Sequence, residues 1–364
     1  MNKNNTRIRI KDIALQAGVS VGTVDRVLHG RSGVSESSRK KVEAMLQQLD
    51  YQPNMYASAL ASNKKYLFVC LIPSHLPDEY WDDVEAGCTQ CVKEYSDFNI
   101  SLSIRYYDQY EQGAFLTASE QLLADHPDGV ILTPVLRSET EQIVSRLKAQ
   151  GVPYVFIDSN IPELEPLAFY GQHAHQSGYF AARMMSLMMG TAKELVVFRQ
   201  IYEGKLGSNQ QMKREQGFYA YMQEHHPDFI LRELNFNAKE PTQSEAAIDR
   251  FFQEHPDVHF GITFNSKAYI VGEYMLQHQR TDFHLMGYDL LKRNIRCLRE
   301  RAIDFIIAQQ PTQQGYSCVE SLCNHLILKK DIQPCNYMPI ALLSIENIEF
   351  YLNIHKKEYL QLIV

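Results

Sequence analysis

Tryptophan occurs once in this chain of 364 residues, at Trp81, and no apolar run approaches the roughly 20 residues that a membrane-spanning helix needs. No membrane partner is expected. The N-terminus is polar and basic, without the apolar stretch of a secretory signal. The cysteines number seven, an odd count, and they are scattered. That argues against a disulfide framework and for a reducing, cytoplasmic setting. Cys88 and Cys91 have a C-x-x-C spacing but no second ligand pair nearby, so they read as two small residues on one helical face. Catalytic signatures are missing as well. Gly204-Lys205 lacks the spacing of a phosphate-binding loop, no Gly-x-Ser-x-Gly elbow occurs, and His225-His226 lacks a glutamate at metalloprotease spacing. No cofactor, no metal and no enzymatic activity are expected.

What is present is an asymmetry of charge. The formal net charge is -7, yet residues 1–66 hold 11 of the 36 Lys/Arg and only 5 of the 43 Asp/Glu. A basic head on an acidic body suits polyanion binding by the head alone. Within it, residues 10–28 read as two short helices around a tight turn. Ile13, Ala14 and Ala17 mark an apolar face, Gly18 suits a helix C-cap, Ser20 suits an N-cap, and Val24, Val27 and Leu28 recur at helical spacing. This is a helix-turn-helix pattern, whose second helix enters the major groove of double-stranded DNA. Val21, Gly22, Thr23, Arg26 and His29 are its candidate DNA contacts. Arg26 is the expected guanine reader. Asp25 is awkward near phosphates; acceptance from a cytosine amino group and pairing with Arg26 or Arg39 are both open. Ser35 should cap a third helix with an apolar stripe of Val42, Met45, Leu46 and Leu49. Arg39, Lys40 and Lys41 lie off that stripe, either solvated or on phosphate. Pro53 and Asn54 could open a further short helix, too short to hold alone in water.

The run Asp12-Ile-Ala, Ala17-Gly-Val-Ser20, Thr23-Val24, Arg26-Val27-Leu28, Val34-Ser35, Arg39, Val42 and Tyr51-x-Pro-Asn54 resembles the DNA-binding head of the lactose-repressor (LacI/GalR) family over about 55 residues. The resemblance implies a hinge helix at Ala57-Ser-Ala-Leu-Ala61, with Leu60 as a wedge driven into the minor groove by a homodimer. Asp25 departs from the small hydroxyl residue usual in that family.

From Tyr66 onward short apolar runs alternate with amphipathic stretches, as in residues 67–72, 100–106, 129–133, 154–157, 195–198, 260–264 and 284–287 with helices between them. Strand–helix alternation predicts parallel sheets, and about a dozen units predict two doubly wound lobes with a ligand at the carboxyl ends of the strands. Asp158, Asn265, Asp289 and Gln309 each follow a strand run; Tyr80 and Trp81 open the first body helix. Each alone reads equally as a cap or a core residue; together they suit the hydroxyls and the C–H face of a sugar. This body resembles the ligand core shared by LacI/GalR regulators and periplasmic sugar-binding proteins. Arg214-Glu-Gln-Gly217-Phe218, Phe264-Asn265-Ser266, Gly287-Tyr288-Asp289 and Ala308-Gln309-Gln310-Pro311 carry the resemblance. It implies Arg214, Asn265, Asp289 and Gln309 as effector ligands, Asp158 with them, and Trp81 as a stacking aromatic.

The expected organisation is therefore α/β. A helix-turn-helix domain spans residues 1–52, and a hinge and linker 53–66. A two-lobed periplasmic-binding-protein-like core spans 67–340, with lobe 1 at 67–168 plus 309–338 and lobe 2 at 169–308. A tail of 341–364 lacks leucine heptads, so a dimer is expected. The function expected is that of a transcriptional regulator, a repressor in sign. Its partners would be operator DNA and a small carbohydrate, a sugar or sugar acid. The alternative is a solute-binding or sugar-modifying protein built on the same core.

Overall fold

The computed structural model describes residues 9–28, 31–49, 64–134, 137–202, 205–206 and 208–354. Two compact units result, divided at Ser62 and Asn63.

The N-terminal unit holds α1 (Ile10–Ala17), α2 (Val21–Leu28) and α3 (Glu36–Gln48). Gly18 ends α1 at φ 63°, a left-handed conformation that glycine adopts without steric cost. The Ser20 hydroxyl accepts from the Thr23 amide at 3.1 Å, and the Ser35 hydroxyl accepts from Ser38 at 3.2 Å; both caps were legible in the sequence. Ile13, Ala14, Ala17, Val24, Val27 and Val42 form the small core of this unit, with Met45, Leu46 and Leu49 packed at its edge.

The second unit contains two sheets. The first is wholly parallel and ordered β12-β5-β4-β3-β1-β2. Its strands are β1 (Tyr66–Pro73), β2 (Ile100–Tyr107), β3 (Gly129–Leu132), β4 (Tyr154–Ile157), β5 (Ala168–Gly171) and β12 (Cys335–Tyr337). The helices α4 (Tyr80–Glu94), α5 (Ala114–Ala124), α6 (Arg137–Gln150) and α12 (Pro311–Leu326) belong to this lobe. The second sheet runs β13-β11-β10-β9-β6, with β8 parallel and β7 antiparallel to β6. Its strands are β6 (Glu194–Tyr202), β7 (Lys205–Leu206), β8 (Ile230–Phe236), β9 (Phe260–Thr263), β10 (His284–Tyr288), β11 (Phe305–Ala308) and β13 (Ala341–Leu343). Its helices are α7 (Ala174–Met189), α8 (Asn209–His225), α9 (Pro241–Glu254), α10 (Ala268–Gln277), α11 (Lys292–Arg299) and α13 (Ile348–Ile354). Central strands are apolar without alternation because helices cover both faces, as in β3 and β4, buried throughout.

The chain passes between the lobes three times, after β5, β11 and β12. Gln172 ties these passages together: its Nε2 donates to the carbonyls of Ala308 and Pro339, each at 2.8 Å. Two expected boundaries move. Ala168–Gly171 pairs with β4 and β12 and so belongs to the first lobe. Residues 341–354 are not a tail: β13 is an antiparallel edge of the second sheet, and Ile348 and Leu352 are buried in that lobe's core. A three-residue strand carries too little pattern to be separated from a loop by sequence alone.

In each lobe two helices approach closely at glycines. A Cβ on Gly87 would stand 1.9 Å from the Thr312 carbonyl oxygen and one on Gly315 2.1 Å from that of Val84, joining α4 to α12. A Cβ on Gly178 would stand 1.9 Å from the Arg214 carbonyl oxygen and one on Gly217 1.9 Å from that of His175, joining α7 to α8. The second pair involves the backbone of Arg214 itself. No helix among the described residues is long and apolar enough to cross a membrane.

Candidate functional site

Between the lobes lies a cavity of about 540 Å³, within the ~300–1,000 Å³ typical of small-molecule sites. Tyr80, Trp81, Asp158, Arg214, Asn265, Asp289 and Gln309 all border it. Residues separated by more than 200 positions converge because all but Arg214 follow a parallel strand or open a helix at the strands' carboxyl ends, and Arg214 reaches in from the second turn of α8.

Arg214 projects from α8 and is 2% exposed. Its Nη1 donates to the Phe264 carbonyl at 2.9 Å, and its guanidinium lies 4.1 Å over the Tyr288 ring. Its Nε and Nη2 have no hydrogen-bond partner. A buried guanidinium with two unpaired donors costs stability unless a ligand completes it. Asp289 follows β10 at φ 71° and Asp158 follows β4 at φ 64°. Asp289 accepts from Gln309 Nε2 at 2.6 Å, whereas Gln309 Oε1 is buried and unpaired. Asn265 is both a cap and a cavity residue. Its Oδ1 accepts from the Lys267 amide at 2.8 Å, and its Nδ2 donates to Gln211 at 3.3 Å. Trp81 meets the Tyr80 ring edge-on at 5.1 Å, and the Tyr80 hydroxyl donates to Gln314 at 3.1 Å.

Several cavity residues escaped the sequence reading. Tyr110 meets Gln200 Nε2 at 3.0 Å and the Tyr202 ring at 4.7 Å, across the cleft. Gln210 donates to the Asp158 carbonyl, and its Oε1 is unpaired. Lys267 pairs with Glu79, and Lys292 pairs with Asp78 at 2.8 Å, again lobe to lobe. The lobes are thus closed on each other. Gln210 carried one usable signal, its place one turn before Arg214; the cross-lobe pairs carried none, because they exist only through tertiary approach.

Burial pushes the Asp158 carboxyl from its ordinary 3.8 up to about 6, against the opposing charge of Arg214 and with help from Asp289. Burial raises Asp289 too, again opposed by Arg214. The folded chain therefore holds the Asp158 proton more tightly than the unfolded chain does. That contribution to stability is complete below about 3.8 and is lost as pH rises through about 6. Asp158→Asn keeps a residue type that tolerates positive φ. Without ligand, this variant is expected to be more stable than the parent near neutral pH, by on the order of 2 kcal/mol. It should also lose that share of the decline between about pH 4 and 6. Urea midpoints measured across this range check it; identical profiles for the two chains would refute it.

In the head, Val21, Gly22 and Arg26 are exposed on α2 and Thr23 is half-buried, its hydroxyl 2.9 Å from that of Ser20. Asp25 pairs with Arg31 at 3.2 Å, a partner the sequence reading did not name, and the Arg31 amide donates to the Arg26 carbonyl at 2.8 Å. Arg39 is half-buried, whereas Lys40 and Lys41 are exposed. His29, Leu60 and the expected hinge motif at 57–61 lie outside the described residues.

A two-lobed α/β clamshell with a polar cavity at its centre, preceded by a helix-turn-helix unit, defines the class of protein. Residues 69–330 match the periplasmic binding protein domain family, and residues 9–54 match the bacterial regulatory proteins of the lacI family. A solved structure from Bacteroides fragilis, assigned as a LacI transcriptional regulator, is 51% identical with a TM-score of 0.77, covering 79% of this chain and 100% of that one. Catabolite control protein A of Streptococcus mutans is 28% identical over 205 residues, 53% of this chain and 60% of that protein. GanP, a glucose-galactose binding protein from Geobacillus stearothermophilus, is 21% identical with a TM-score of 0.67, covers 79% and 99% of the two chains, and shares the fold. The chain spans 60%, 44% and 42% of the length of three curated relatives that it matches. This chain belongs to the LacI family of bacterial transcriptional regulators, which is not a family of enzymes.

Proposed function

We propose that the chain is a cytoplasmic repressor that binds a pseudo-palindromic operator as a homodimer and changes its DNA affinity when a neutral sugar occupies the cleft. One observation carries the choice of ligand. The cavity floor presents bare donors, Arg214 Nε and Nη2, beside bare acceptors, Gln309 Oε1 and Gln210 Oε1. Hydroxyl groups donate and accept at once and can satisfy both sets. A carboxylate or phosphate group only accepts; placed here it could not pair with either amide oxygen and would stand beside Asp158 and Asp289. Trp81 and Tyr110 supply ring faces for the C–H side of a sugar. This favours a neutral sugar over the sugar acid that remained open from sequence. The solute-binding alternative leaves the basic helix-turn-helix unit without a purpose.

DNA recognition is assigned to Val21, Gly22, Thr23, Arg26 and His29, with Leu60 as the central wedge. Effector recognition is assigned to Tyr80, Trp81, Asp158, Arg214, Asn265, Asp289 and Gln309. A change in the relative angle of the lobes would alter the spacing of the two hinge segments in a dimer, which couples sugar and DNA reciprocally.

The test is operator binding by fluorescence anisotropy, with DNA upstream of the chain's own gene against random duplex at matched salt, followed by titration of saccharides. Asp289→Ala is expected to keep operator affinity and to weaken the sugar response about 10- to 100-fold, the worth of a charge-assisted hydrogen bond. A normal response in that variant would remove Asp289 from the site. Equal affinity for operator and random duplex, with and without sugar, would end the regulatory reading.

A further inference from the structure

The cleft does not end at the residues described above. It continues into a second cavity of about 220 Å³ between α9 and α10, wholly within the second lobe. The two cavities share Ala238, Tyr269 and Arg293 as a common wall. Arg293 is fixed in that wall. Its Nε donates to Glu273 at 2.9 Å, its Nη2 donates to the same carboxylate, and its guanidinium lies 3.8 Å over the Tyr269 ring. With its charge answered by Glu273, it makes a stacked partition post rather than an anion trap.

Beyond that post the lining is of two kinds. Pro241, Ile248 and Ile270 give an apolar side; Asn237, Glu245 and Gln277 give a hydrogen-bonding side. Glu245 Oε1 accepts from Gln277 at 3.2 Å and lies 3.5 Å from His278 Nε2, which leaves lone pairs on its second oxygen. Apolar groups together with both donors and acceptors match a ring with a C–H face and a hydroxyl edge. Two carboxylates, Glu245 and Glu273, against the one cation Arg293 disfavour an anionic arm.

We propose that this side cavity is a subsite for a second sugar unit, so that the effector is a disaccharide or longer oligosaccharide whose first ring sits over Arg214 and Asp289. The proposal rests on the reading of the main cleft as a carbohydrate site. Specificity among linkages would then be set at the shared wall, where the glycosidic bond must pass Ala238 and Arg293.

The experiment is calorimetry on the full chain with matched probes: D-glucose against maltose and cellobiose, D-galactose against lactose and melibiose, D-xylose against xylobiose, and D-mannose against mannobiose. At least one disaccharide is expected to bind 10-fold or more tightly than its own monosaccharide. Gln277→Trp and, independently, Glu245→Arg crowd the side cavity from positions that do not border the main one. Each should bring the disaccharide to within about twofold of the monosaccharide and leave the latter unchanged. A monosaccharide that equals or exceeds every disaccharide overturns the subsite while the cleft reading stands. So does a disaccharide whose affinity ignores both substitutions. No heat with any saccharide overturns both readings together.

Discussion

Arg214→Met is expected to lose sugar binding by at least 100-fold and to destabilise the core by about 3 kcal/mol or more. The substitution keeps much of the side chain's volume, so the effect is one of charge and hydrogen bonding. Arg214 is 2% exposed and its charge lowers the carboxyls of Asp158 and Asp289, which burial alone would push higher still. Without it, two buried carboxylates face each other with their countercharge gone, and removing one member of a buried charge set costs about 3–5 kcal/mol. The Phe264 carbonyl loses its donor, and the stacking on Tyr288 goes with it. The cause can be separated from a packing defect by pH. Protonation relieves the repulsion, so the stability deficit should shrink as pH falls from about 7 to about 5. Urea midpoints at both values, with calorimetry on the strongest saccharide, test the pair of effects. A deficit that does not vary with pH would show that packing, not charge, accounts for it. Undiminished sugar affinity would remove Arg214 from the site.

Gly178→Ala is expected to destabilise the core by about 2 kcal/mol or more and to weaken sugar binding at least 10-fold. Two effects oppose each other here. Alanine is the better helix former, by about 1 kcal/mol, and α7 would gain from it. The added methyl, however, would stand 1.9 Å from the Arg214 carbonyl oxygen, so α7 and α8 must separate by more than 1 Å. Overpacking of this kind costs about 1–3 kcal/mol and at times more, and backbone offers no rotamer through which to yield. Steric repulsion wins. Because the displaced backbone belongs to Arg214, the guanidinium moves off the cavity floor, and a site needs its groups within about 0.5 Å. The urea midpoint reads the first effect and calorimetry the second. A variant as stable as the parent would mean that the helices separate freely and that the close approach has no structural weight.

Much of the lining of the candidate site was readable before any fold was known, and the reason is local. Asp158, Asn265, Asp289 and Gln309 stand immediately after apolar strand runs, and parallel sheets open their carboxyl ends to ligands. Arg214 was carried only by the resemblance of its segment to that of a known family, and Tyr80 and Trp81 by their place at the start of a helix. The cross-lobe pairs Glu79–Lys267 and Asp78–Lys292 could not be read in this way, since each joins segments nearly 200 residues or more apart and neither has a periodic signal. Gln172 was equally silent, although it holds all three passages between the lobes. Asp25 shows the same limit at short range. It pairs with Arg31, six positions on, a spacing that helical periodicity does not indicate.

The amino-acid order alone determined the kind of molecule this is. Capping residues, a glycine at the turn and apolar periodicities act over a few positions, and they specify a helix-turn-helix head and strand–helix units whatever the rest of the chain does. Tertiary structure decided what those units enclose. Only when two sheets meet do unpaired groups on Arg214, Gln210 and Gln309 become buried together, and only when α9 packs beside α10 does the cleft gain its side branch. The physical reason is range. Local backbone preferences are settled residue by residue, whereas burial of a polar group depends on every element that closes over it.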